Sequence, residues 1–225
     1  MTTSQAARRQ RLSDALDALD RTARPGPPPG GCPHCWSAEE LAALAGPPDV
    51  LPEALLCRVA AKRPEHWDDF PALYRRVAPR VLRLLTAGRL GVDGALVGDR
   101  LAVAGWREWH RAELVAEVLD AWWPVALESA VGSAPGVAEV LETLALATGS
   151  VEPWLRVWAE TRSPAADRHL ADVLDGWLSY GRLPDLRFGY ERRLPVGPAV
   201  LAWLDGLPEH RIGADQRYWL SLLAS

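Results

Sequence analysis

Cys32-Pro33-His34-Cys35-Trp36 is the one segment of this chain whose residue types and spacing could do chemistry. Two thiols three residues apart in a tight loop can grip one metal ion or exchange disulfides. As half of a zinc site, Cys32 and Cys35 need two more ligands from elsewhere. No second Cys-x-x-Cys and no His-x-x-x-His is present, so the candidates are His34, His66, His169 and Cys57. A metal would anchor a Pro/Gly loop that has little core of its own. The simplest account is different: two reduced cysteines packed as small apolar residues where a loop enters a helix.

Disulfide exchange is a third reading. A helix that starts just after the motif would favour a thiolate through its dipole, and His34 would add to the effect. The tetrapeptide matches that of periplasmic disulfide oxidases with a thioredoxin fold, but the surroundings do not. Such sites follow a buried strand, whereas GPPPGG precedes this one and no thioredoxin-like βαβ pattern exists in the chain. Exchange activity is therefore not expected.

The elements that must position this loop read as helices. Residues 4–22 carry Leu12, Leu16 and Leu19 at helical spacing, and RPGPPPGG (24–31) follows as a stiff spacer. That spacer predicts a separable N-terminal helix (1–23), a linker (24–31) and a helical domain (32–225). Ser37 and Glu40 form a capping-box pattern, and Asp69 can cap a helix over 70–87 in which Pro79 predicts a kink or a split. Residues 91–105 read as a tiny hairpin around Gly98-Asp99 or a loop with one helical turn. From 107 onward amphipathic stripes recur, among them Val137, Val140, Leu141, Leu144 and Leu170, Val173, Leu174, Trp177. The short connections between them predict antiparallel neighbours. The expected fold class is all-α, either a degenerate helical repeat of α-solenoid type or a compact helical array, with at most one short hairpin.

Composition excludes other classes. The 225 residues are 48% hydrophobic and 24% charged with a formal charge of −4, values of a folded globular chain. The longest apolar run, 194–204, holds two prolines and falls short of the roughly 18 residues a membrane span needs. Without a signal-like apolar stretch near the N-terminus, the chain reads as cytoplasmic and without a membrane partner. Ala and Leu abound while isoleucine, phenylalanine and methionine are scarce, which favours helices.

Charge is segregated along the chain. Five arginines and no acid lie between 70 and 92, and seven acids without a Lys or Arg lie between 112 and 155. Arg76, Arg80 and Arg83 share one helix face and could track phosphates. Overall acidity and the lack of a helix-turn-helix pattern argue against nucleic acid, so the basic helix is expected to lie against the acidic ones or to meet a protein partner. Trp106, Trp109, Trp122 and Trp123 could line a partner or ligand surface, or fill a core. No nucleophile elbow, His-Glu-x-x-His or phosphate-binding glycine loop is present.

Four segments together bring a family to mind: Cys32–Trp36, the Leu51-Pro52-Glu53-Ala54-Leu55-Leu56 helix start, Trp67-Asp68-Asp69-Phe70, and the Leu-rich stretch Pro79–Leu85. Over residues 32–85 the chain resembles a group of uncharacterised bacterial helical proteins with an N-terminal Cys-x-x-Cys followed by an aromatic. The resemblance implies a helical, repeat-like fold and carries no activity with it. The first functional expectation is thus a non-enzymatic helical adaptor or accessory subunit that binds a protein partner. The alternative is a metal- or thiol-dependent protein, enzyme or enzyme partner, acting through Cys32 and Cys35, with zinc as the cofactor.

Overall fold

Leu73, Val77, Val81, Leu84 and Leu85 fall on one stripe of residues 70–86, and in the computed structural model that stripe lies in the core. The structure describes residues 3–179 and 183–223. Among them run eleven helices. In chain order they are α1 (Thr3–Asp20), α2 (Ala38–Ala43), α3 (Glu53–Ala61), α4 (Phe70–Thr86), α5 (Gly94–Val103) and α6 (Ala112–Leu127). Then follow α7 (Val137–Thr148), α8 (Glu152–Glu160), α9 (Pro164–Ser179), α10 (Gly197–Asp205) and α11 (Ala214–Leu223). A two-stranded antiparallel ribbon, β1 (Arg187–Phe188) with β2 (Leu194–Pro195), lies between α9 and α10. The architecture is an all-α compact helical array. No described helix is long and apolar enough to cross a membrane.

Local signals explain several boundaries. The Ser37 hydroxyl accepts from the Glu40 amide while the Glu40 carboxylate accepts from the Ser37 amide, closing the capping box at α2. The Asp69 carboxylate accepts from the Ala72 amide at 2.9 Å and starts α4. Pro79 does not split α4, which runs unbroken past it with the ring buried.

Two expectations change. Residues 94–103 form helix α5, not a hairpin or a loop; the ribbon occurs at 187–195 instead. Gly98, which suggested a turn, and Gly94 are there because α5 meets α7 almost backbone to backbone. A Cβ at Gly98 would strike the Thr143 carbonyl, and one at Gly94 would strike the Thr143 hydroxyl. The N-terminal helix, expected to stand apart beyond the spacer, packs on α6 and α4 and buries Leu12, Ala15, Leu16 and Leu19 in the common core. Its polar side pairs too: Arg8 with Glu128 at 2.7 Å, and Asp17 and Asp20 with Arg83 at 2.6 and 2.5 Å.

A buried ion pair ties the ribbon to the end of α3. Arg100, 1% exposed, donates to Asp99 and to Glu191 at 2.9 Å, and its Nε donates to the Lys62 carbonyl at 3.0 Å. Lys62, the single lysine of the chain, is thereby fixed at the helix end beside the Cys-Pro-His-Cys loop.

Candidate metal centre

The loop at 30–36 is held by backbone pairing to a segment thirty-odd residues later. Gly31 and Trp67 form an antiparallel bridge, in which the Cys32 amide donates to the His66 carbonyl at 2.9 Å and the Asp68 amide to the Gly30 carbonyl at 3.1 Å. A side chain at residue 31 would be crowded, because a Cβ there would stand 3.1 Å from both the Trp36 and the Trp67 ring. The following turn is tight: the Cys35 and Trp36 amides both donate to the Cys32 carbonyl, at 2.9 and 3.1 Å. Trp36 and Trp67, one residue past Cys35 and His66, are buried. The two segments therefore meet with their polar side chains on the outer side.

The result is a convergence of ligands. One donor atom each of Cys32, Cys35 and His66 lie within 4.8 Å of one another, and all three residues are half-buried. Cys35 Sγ stands 3.6 Å from His66 Nδ1. Two sulfurs and an imidazole nitrogen are a donor set that suits zinc, which takes Cys and His in tetrahedral geometry. No fourth Cys, His, Asp or Glu joins the group among the described residues.

The surroundings are cationic. Arg58 donates to the Cys35 carbonyl at 2.8 Å, stacks 4.7 Å over the Trp36 ring and pairs with Glu40. The Cys35 thiol is held below its usual pKa chiefly by a hydrogen bond from the Lys62 ammonium, helped by Cys32 and the charges of Lys62 and Arg58, and opposed by desolvation. A thiolate is the form a metal requires.

The other expected site residues lie elsewhere. His34 is exposed at the tip of the turn and outside the cluster. His169 is a core histidine outside the cluster: it is 4% exposed, and its Nε2 lies 3.0 Å from the Ser129 carbonyl. Cys57 donates its S–H to the Leu90 carbonyl, and burial pushes its thiol pKa up. The arginine face is occupied within the fold. Arg76 donates to the Pro27 and Leu44 carbonyls at 2.9 Å, Arg80 lies 3.8 Å from Glu53, and Arg83 holds Asp17 and Asp20. The partners are thus acids and carbonyls from the N-terminal third, not the acidic stretch at 112–155.

The tryptophans are core rather than a partner surface. Trp106, Trp122 and Trp123 are at most 5% exposed; Trp106 Nε1 donates to the Ala147 carbonyl, Trp123 Nε1 to the Trp154 carbonyl, and half-buried Trp109 to the Ala104 carbonyl. Lys62 and Arg58 were not singled out as site residues from the sequence. The only signal for Lys62 is its rarity, one lysine against 24 arginines.

No protein-family model, curated protein or solved structure matches the chain.

Proposed function

We propose that this protein is a metal-dependent helical protein that holds one zinc ion through Cys32, Cys35 and His66. The convergence of three donor atoms within 4.8 Å, from segments paired by their backbones, carries the reading. Two thiolates select zinc over harder divalent ions, and the half-buried position leaves a path for entry. One role of the ion is to pin the N-terminal segment to the start of α4, since metal-binding free energy becomes folding free energy. This places the metal reading ahead of an adaptor reading, because the arginines and tryptophans that would have carried a partner are engaged inside the fold.

The test is metal content by elemental analysis of purified full-length protein, with Cys35→Ser and His66→Ala beside it. The expected result is about one zinc per chain for the wild type and loss of zinc in both variants. A metal-free wild type whose thermal unfolding is untouched by either substitution would overturn the proposal in favour of packed, reduced cysteines.

A further inference from the structure

We propose that the fourth coordination position of this zinc takes a thiolate from outside the chain, supplied by a small thiol. The inference rests on the three-ligand zinc reading above and deepens it by naming what the site binds.

Three observations lead there. The described residues supply three ligands and no fourth, and zinc centres with three protein ligands keep the remaining position for water or substrate. All three ligand residues are half-exposed, so the position opens to solvent. Charge then selects the occupant. Two thiolates cancel the zinc charge and a neutral imidazole adds nothing, which leaves an uncharged centre. Beside it the Arg58 guanidinium donates to the Cys35 carbonyl at 2.8 Å, and the Lys62 ammonium, without an acidic ion-pair partner among the described residues, acts on the Cys35 thiol. A cation beside a neutral centre favours an anionic fourth ligand over water.

Softness narrows the class further. A zinc already carrying two thiolates is a soft acceptor and prefers sulfur to a carboxylate. On binding, the S–H bond of the thiol breaks, the sulfur–zinc bond forms, the proton goes to solvent and the bound water leaves. A coordinated thiol is deprotonated outright at neutral pH, so the site would present a small thiol as its reactive anion.

Cobalt(II) in place of zinc makes the site visible. The full chain is loaded with cobalt and titrated with 2-mercaptoethanol, with acetate as the oxygen-donor control. The expected result is a sulfur-to-cobalt charge-transfer band that rises saturably by about one half, as two thiolates become three. Acetate should leave the band unchanged, and Lys62→Gln, read per cobalt retained, should weaken thiol binding roughly 2- to 5-fold.

A band that does not respond to thiol while cobalt remains bound would overturn this inference and leave the metal reading standing. So would a change in the visible bands of the thiol-free protein on His34→Ala, which would make His34 the fourth ligand. Cobalt carried off by the thiol on gel filtration would overturn it as well. Failure of cobalt or zinc to bind at all would sink both.

Discussion

Trp36 and Trp67 meet with ring centroids 4.5 Å apart and planes tilted by 32°, and each is the residue directly after a ligand of the candidate metal centre. Both rings are buried while Cys35 and His66 are half-exposed. One pairing of chain segments therefore builds a hydrophobic clamp on one side and a donor cluster on the other. An aromatic pair of this kind adds about 0.5–1.5 kcal/mol beyond its area.

If clamp and cluster share their support, damage to one is felt in the other. Trp67→Ala removes a buried ring and is expected to cost about 3–5 kcal/mol, with weaker zinc retention as a second effect. Chelation of the wild type is expected to lower the melting temperature in the same direction. Calorimetry with and without chelator checks both, and a Trp67→Ala variant that keeps full zinc affinity would separate the two.

Gly31 lies against both rings of that clamp. The Gly31→Ala methyl would press on both indoles at 3.1 Å, and the bridge to Trp67 is expected to loosen as the rings give way. The expected loss is about 1–3 kcal/mol, the range of other overpacked sites. Amide exchange at Cys32 no faster in the variant than in the wild type would count against it, because the Cys32 amide is one of the bridge donors.

Helix α1 offers a test of the docking that the spacer did not suggest. Leu16 is 6% exposed against the core, and Leu16→Ala is expected to cost about 2–5 kcal/mol. Removal of residues 1–23 should cost more and expose the α6 face to solvent. A truncated chain that melts at the wild-type temperature would restore the picture of a separable segment.

Glu142 sets a pH dependence. Burial raises its carboxyl pKa above the ordinary 4.5, reinforced by Asp93 and Glu139 and opposed by the Gly189 amide, which donates to it at 2.7 Å. The folded protein thus binds that proton more tightly than the unfolded chain. Its contribution is fully present below the ordinary value and is lost as pH rises through the folded pKa. Glu142→Gln keeps an acceptor for Gly189 and has no charge to develop. Its melting temperature is therefore expected to gain on the wild type as pH climbs out of the acidic range. Parallel curves for the two proteins would refute this.

Much of the fold was legible from short-range signals. The capping box at Ser37 and Glu40, the Asp69 cap and the stripes after residue 107 depend on neighbours within a turn or two, and each appears where the sequence places it. What was not legible depends on partners far away in the chain. Gly98 carries a turn signal only when the approach of Thr143 is unknown. Asp99 and Arg100 look like surface polar residues until Glu191 closes over them. The same limit applied to the candidate metal centre: Cys32 and Cys35 announce themselves by spacing, but the choice of His66 over His169 follows from the backbone bridge at residue 67.

The packing of α1 on α6 also bears on how the chain is made. About 90 residues separate the end of one helix from the start of the other. At ribosomal speeds of roughly 5–20 residues per second, the leucine face of α1 waits on the order of ten seconds before its partner emerges. During that interval the nascent chain displays Leu12, Leu16 and Leu19 without the α6 part of their cover. The three arginines and three aspartates of the same helix keep its mean hydropathy low, which gives the unpartnered segment a means of staying dispersed until the groove that receives it exists.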